Sequence, residues 1–382
     1  MTTYLNSIYS AFFLFPFIAF LITFPFMIIN YNKYGSISKI RTFIIYTFIL
    51  YLLCAYFLVI LPLPSKEYVN KLTIPHYQLK PFNFIFDFIK ENKYSFNSLS
   101  SFINMLNQPS IYQPLFNIVL TIPFGIYLRY YYKCSLKKTC IYSFLLSLFF
   151  EITQLTGLYY IYFRNYRMFD IDDIMFNTLG GIVGYYIITP FLKVLPSREN
   201  IDDKSYIMSN KVTGLRRLVA FIIDLFFLSL IFGITLIITL LYGKDYNLKT
   251  FIILFLIIIY IMFVLVPSIF KGRTIGKRIV NLKLNSNINK IYPVIIRTNL
   301  MFIYIFLVPL VSIVLIDNQN LLGILFIVIY MFYSFASFIL LITNNKLWYE
   351  KLTKTENINT INIWCFFIKI NIFVIYKIVL II

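Results

Sequence analysis

The chain is short of charge, histidine and cysteine motifs. Charged residues make up 13% of its 382 positions, against about a quarter in soluble domains. A soluble globule with so few charges leaves its surface uncovered, so a water-soluble fold is excluded, and disorder with it. There is one histidine, His76, placed in a loop, so a histidine-based triad has no obvious base. The four cysteines (Cys54, Cys134, Cys140 and Cys365) form no CxxC pair, and neither a disulfide framework nor a zinc site is expected. Acids are scarce too, 15 against 34 Lys and Arg, for a net charge of +19. What fills the chain instead is apolar: 60% hydrophobic and 20% aromatic residues, with 42 Phe and 32 Tyr.

That apolar content falls in runs of about 20 residues, the length needed to cross a bilayer. Nine qualify: 11–30, 41–61, 114–132, 139–159, 174–192, 218–241, 250–270, 298–316 and 321–343. A tenth stretch, 361–382, reads either as a span or as an amphipathic segment lying on the membrane. The fold class is all-α, a polytopic helical membrane protein in two bundles. The first apolar run lacks a basic leader and reads as a retained span. With the N-terminus outside and the spans alternating, the inside segments hold 23 Lys and Arg and the outside segments 9, the asymmetry that fixes orientation. The basic charge therefore orients the chain and meets lipid. Nucleic acid is not an expected partner, because no recognition motif accompanies the charge.

The polar stretch 193–212 carries Pro196 and divides the chain into a first bundle, 11–192, and a second, 213–358. Residues 359–382 form an apolar extension. No internal repeat of the inverted-transporter type is visible.

Two constellations of polar residues stand out. In the first, Glu151 and Gln154 lie one turn apart near the end of the fourth span, and Arg167, Asp170, Asp173 and Asn177 lead into the fifth. On a helix, Asp170, Asp173 and Asn177 fall with Gly180 and Gly184 in an arc of roughly 80°, and Asp172 lies off it. Carboxylates and amides at such depth are costly unless paired or lining a wet cavity. The six polar residues are candidate ligand-binding groups around an outward-facing pocket. The alternative is an interhelical cluster that only joins the two spans. Gly180 and Gly184 are candidate helix-packing positions, letting another span approach closely. In the second constellation, Arg217, Ala220 and Asp224 share one face of the sixth span, and Arg217 or Arg216 is the expected partner of Asp224. The turn Lys271-Gly272-Arg273-Thr274-Ile275-Gly276-Lys277-Arg278 follows the seventh span. It lacks Walker A spacing. An orienting turn that touches anionic lipid is preferred there over an anion-binding one.

The first constellation resembles the VanZ-like domain. The matching residues are Phe116-Asn117, Ile122-Pro123-Phe124-Gly125, Glu151-x-x-Gln154 and Arg167-x-x-Asp170-x-x-Asp173-x-x-x-Asn177-x-x-Gly180-x-x-x-Gly184. Where that family shows Asn shortly before Pro-Phe, this chain has Leu79-Lys80-Pro81-Phe82. The resemblance implies a bacterial cell-envelope membrane protein, linked in one case to teicoplanin resistance. Residues 213–358 resemble the RDD family through Arg217-x-x-Ala220-x-x-x-Asp224, Gly272-x-Thr274-x-Gly276-Lys277 with Leu282-Lys-Leu284, and Glu350 in place of a later acidic residue. That resemblance raises the prospect of transport.

Three functions follow as expectations. The first is a non-enzymatic envelope protein that recognises a polar envelope component or a glycopeptide, with membrane lipids around it. The second is a transporter or proton- or ion-coupled exchanger, with Asp224 and Glu151 or Asp173 titrating. The third, an intramembrane hydrolase using Glu151, Asp170 and Asp173 with a metal, is disfavoured because no His or Cys ligand set accompanies the acids. No cofactor and no metal is expected, and the oligomeric state is left open.

Overall fold

The computed structural model describes residues 2–91, 108–241, 248–286, 291–317 and 321–361. From residue 362 on, the candidate tenth span lies outside the described residues. The chain is an all-α polytopic membrane protein. Among the described residues, eight helices are long and apolar enough to cross a bilayer. By contact the chain separates into two units, one of residues 1–21 and 39–201, the other of residues 22–38 and 202–382.

The first unit contains most of helix α1 (Thr2–Tyr34), α2 (Lys39–Ile60), α3 (Pro109–Tyr130), α4 (Leu136–Leu155) and α5 (Ile171–Ile188). Ser135 caps α4 by accepting from the Lys138 amide at 3.4 Å. Asp170 caps α5 by accepting from the Asp172 amide at 2.9 Å. In both cases a side-chain oxygen satisfies a first-turn N–H that has no helical partner. Strands β1 (Tyr77–Gln78) and β2 (Phe169–Asp170) pair in parallel, Gln78 opposite Asp170.

Helix α4 corresponds to the fourth span read from the sequence, but it is not among the eight apolar ones. Its 20 residues suffice for a crossing,. Its composition differs because one side is polar: Thr139, Ser143, Ser147 and Glu151 recur every fourth residue and are all buried. Ile141, Tyr142, Phe144, Leu145 and Phe149 are exposed. Polar inside and apolar outside is the arrangement a lipid surround favours, since packing in lipid has no hydrophobic drive of its own.

Glycines bring α5 against its neighbours. A Cβ at Gly180 would overlap the Ile118 carbonyl and the Thr121 hydroxyl, and one at Gly184 the Ile122 carbonyl, both on α3. A Cβ at Gly181 would overlap the Ser143 hydroxyl on α4. The Gly180/Gly184 pair thus serves close packing, but against the third span.

The second unit starts with the last turns of α1, where Tyr31 joins Val219, Ala220, Ile223, Val280 and Leu282 in one buried cluster. The polar stretch 193–212 contains helix α6 (Arg198–Ser209). Beyond it come α7 (Gly214–Leu241), α8 (Leu248–Tyr260) with a π-helical continuation to Leu265, α9 (Ile275–Ile279) and α10 (Tyr292–Phe302). They are followed by α11 (Val308–Asp317), α12 (Leu321–Ile342) and α13 (Trp348–Leu352). Strands β3 (Leu282–Ser286) and β4 (Thr355–Asn359) pair antiparallel, Leu284 opposite Asn357. Leu282 and Leu284 alternate inward along β3, the period-two pattern of a half-buried strand.

Candidate functional site

The polar residues of the first unit meet where α2 and α4 end and α3 and α5 begin. α2 stops at Ile60, ahead of Pro62 and Pro64, so the Val59 carbonyl has no helical donor waiting for it. Two side chains use it. Gln154 donates from Nε2 at 3.1 Å, and Arg167 donates from Nη1 at 3.1 Å. Glu151 Oε2 accepts from the Asp170 backbone N–H at 2.9 Å. Asn117 donates through Nδ2 to Asp173 Oδ1 at 2.6 Å, and Asn177 through Nδ2 to Ser147 Oγ at 2.9 Å. Thr121 Oγ donates to the Asn177 carbonyl at 2.7 Å.

The result is a cavity of about 520 Å³ whose lining includes Glu151, Gln154, Arg167, Asp170, Asp173 and Asn177, all six candidates. Asn117, Tyr112 and Gln113 line it as well. Three carboxylates face one guanidinium across it. Burial pushes the Asp170 carboxyl above its usual range; the Asp172 amide opposes this, and the Asp172 and Asp87 carboxylates add to it. Asn177 Oδ1 is buried and accepts from nothing among the described residues, so the cavity wall holds an unused acceptor. Among the described residues no cluster of His, Cys, Asp and Glu is arranged to hold a metal ion.

Asp172 lies off the stripe, and its placement gives it a different task. Its Oδ1 accepts from the Phe82 amide at 2.6 Å and its Oδ2 from the Phe84 amide at 3.1 Å. It pins the loop that contains Leu79-Lys80-Pro81-Phe82. Asp172→Ala removes the acceptor of two backbone donors on a part-buried loop, a loss of about 1 kcal/mol each,. Hydrogen exchange at the Phe82 and Phe84 amides should accelerate in this variant, while amides in the middle of α5 keep their protection.

Sequence reasoning missed Asn117 and Ser147 as site residues. Asn117 was readable only as part of a motif. Ser147 had a signal available, the four-residue recurrence of Thr139, Ser143, Ser147 and Glu151.

In the second unit, Asp224 is not paired with an arginine. Its Oδ2 accepts from the Thr274 hydroxyl at 2.6 Å and its Oδ1 from the Gly276 amide at 2.7 Å. Thr274 also caps α9, accepting from the Lys277 amide at 3.2 Å. The Gly-rich turn thus receives a carboxylate from its own chain. Gly276 allows the approach: a Cβ there would overlap the Ala220 carbonyl. Gly272 sits at φ +80°, donates to the Pro267 carbonyl at 2.6 Å and accepts from the Leu284 amide at 3.0 Å. This left-handed turn needs glycine.

The arginines go elsewhere. Arg216 donates to the carbonyls of Val280 at 2.9 Å and Asn281 at 3.0 Å, and to Asn359 Oδ1 at 3.0 Å. Arg217 pairs with Glu350 at 2.5 Å, and so does Arg297 from α10, also at 2.5 Å. Glu350 Oε2 accepts from the Leu347 amide at 3.0 Å. The expected Asp224–arginine pair is therefore replaced by two separate arrangements. Asp224 sits deep on α7, where the α9 amide and the Thr274 hydroxyl reach it, whereas Arg217 lies nearer the helix start, beside α13. From the sequence Arg297 counts only among the inside bases and not as a site residue, because it follows an ordinary apolar helix start and carries no local motif.

Comparison with family models places residues 48–195 in VanZ/LLP1 and residues 212–346 in the RDD family. The first range contains every cavity residue named above. The second contains Arg217, Asp224, the Gly-rich turn and Arg297, and ends before Glu350. Comparison with curated proteins and with solved structures returns no match for this chain.

Proposed function

The chain is a multi-pass cell-envelope membrane protein that joins a VanZ-like domain to an RDD family domain, and from that premise we propose that its first unit recognises a polar envelope component or a glycopeptide at the outer face. The observation that carries the reading is the convergence of Glu151, Asp170 and Asp173 with Arg167, Gln154 and Asn177 around one cavity of about 520 Å³. That volume lies within the range of small-ligand sites. It holds one amine-bearing or hydroxyl-rich group of a larger molecule and not the whole of a glycopeptide. Three acids against one base favour a cationic or hydrogen-bond-donating group. The excess of Lys and Arg in the alternate loops supports an orientation that opens this end of the first unit outward. Teicoplanin resistance is the role that the VanZ-like resemblance suggests for such recognition.

The test is glycopeptide susceptibility in a bacterial host deleted for the chain and complemented by it. Complementation should raise the inhibitory concentration of teicoplanin-type glycopeptides. The variant Asp173→Asn, expressed to the same level in the membrane, should lose that gain. Equal susceptibility with the chain, without it and with the variant, across several glycopeptides, overturns the glycopeptide reading.

A further inference from the structure

The second unit holds a cavity of its own, of about 290 Å³. The charges at its polar end are unequal. Arg217, Lys277 and Arg297 line it as cations, with Asp224 the one carboxylate in its wall among the described residues. Glu350, just behind, is engaged by both arginines. Asp224 has both oxygens engaged by Thr274 and Gly276. The Lys277 ammonium, in contrast, has no hydrogen-bond acceptor and no ion-pair partner among the described residues. Three cations thus face two acids whose acceptor oxygens are already in use. A part-buried ammonium without an acceptor is unfavourable,, and nothing in the local backbone requires a lysine there: the α9 cap and the Asp224 contacts use the Thr274 hydroxyl and the backbone amides of Gly276 and Lys277.

From this geometry we infer that the cavity is a binding site for a singly charged oxyanion, of the phosphodiester or carboxylate type, whose charge is met by Lys277. Hydroxyl groups also line it, where Tyr304 Oη lies 3.1 Å from Ser334 Oγ and 3.4 Å from Ser337 Oγ. Phe221, Phe263, Met301 and Phe338 supply apolar wall, and Tyr330, Tyr349 and Asn357 add polar groups to it. Cations and hydroxyls beside apolar side chains suit a headgroup with hydrocarbon attached, and the volume limits the polar part to a small group,. The site is separate from the first unit's cavity and does not depend on what that cavity binds.

The Lys277 amine supplies a second signature. Burial and then Arg297 push it below the usual lysine range, and Asp224 and Glu350 pull it back up. The charged and titratable groups around it are Arg217 and Asp224 from α7, Arg297 and Tyr304 from α10 and its continuation, Tyr330 from α12, and Tyr349 and Glu350 from α13. An amine with a lowered pKa is fully protonated only below that value. Anion binding therefore takes up a proton, and affinity falls as pH rises through the lowered pKa.

The experiment uses the full chain purified in neutral detergent. Thermal stability and lipid retention in native mass spectrometry are followed with phosphatidylglycerol, with phosphatidylcholine, and with inorganic phosphate alone. Preferential retention and stabilisation by phosphatidylglycerol, weakened about tenfold or more in Lys277→Gln, kept in Lys277→Arg and declining with rising pH, establishes the site with a lipid headgroup as its source. Stabilisation by inorganic phosphate with the same dependence on Lys277, and no preference between the two lipids, establishes it with a free anion as the source. If Lys277→Gln does not fold, Ser337→Leu, which fills the cavity, takes its place. No stabilisation by either anion, or equal stabilisation of wild type and variant, overturns the proposal.

Discussion

Glu350→Ala destabilises the second unit by about 3–5 kcal/mol, the cost of removing one partner from a buried ionic cluster. The carboxylate is 2% exposed, and its partners Arg217 and Arg297 are 13% and 4% exposed. With the acid gone, two guanidiniums lose their shared counter-charge. Arg297 keeps the Thr355 hydroxyl at 3.2 Å, and Arg217 keeps the Asn345 carbonyl at 3.4 Å. Neither supplies negative charge. The same change frees the Leu347 amide that Glu350 Oε2 accepts from, so the entry into α13 loosens too. Glu350→Gln keeps an acceptor oxygen but not the charge, and its loss should fall between wild type and Ala. Reversible unfolding of the purified chain in a detergent titration reads all three. A Glu350→Ala variant as stable as wild type shows that the two arginines do not depend on this carboxylate.

The second large effect is expected at Gly180. In Gly180→Val the new side chain enters the Ile118 carbonyl and the Thr121 hydroxyl. The obstacle is mainly helix backbone, which cannot swing aside as a long side chain does. Overpacking costs about 1–3 kcal/mol in a side-chain core, and a backbone obstacle puts this variant at the upper end of that range. The shift also pulls Asn177 away from Thr121 and Ser147, so the cavity loses its wall on the α5 side. Gly233→Ala is the matched control: a Cβ there meets nothing within 4 Å, and alanine is the better helix former. Thermal unfolding in detergent should put Gly180→Val well below wild type and Gly233→Ala level with it or above. Equal midpoints for Gly180→Val and wild type remove the argument for close α3–α5 packing.

The first constellation was legible because a helix converts spacing into direction. Asp170, Asp173 and Asn177 at steps of three and four residues must share a face, and a polar face in an apolar chain has few places to go. The second was legible only as an inventory. Asp224, the Gly-rich turn, Arg217 and Glu350 could each be marked, but the pairing between them could not. Spacing along α7 made Arg217 the natural partner of Asp224, seven residues away. The structure instead gives Asp224 the first-turn amide of α9, 52 residues further on, and gives Arg217 a carboxylate 133 residues away. α4 shows the same boundary from the other side. Its length marks it as a span and its four-residue polar stripe marks a buried side, but that α5 lies against that side is not written in α4 alone.

Composition and run length settle the solvent of this protein and its helical class, because hydrocarbon leaves a spanning backbone no partner but itself and a run of about 20 apolar residues has one use. They also determine which polar residues have to be accounted for, since a charge in lipid is too costly to be incidental. Who meets whom is set by the packing of the helices. Hydrogen bonds and ion pairs form over a few ångströms between elements distant in the chain, and the helix contacts that set those distances come from small-residue packing. Such packing depends on two surfaces at once, and a single helix's sequence describes one of them.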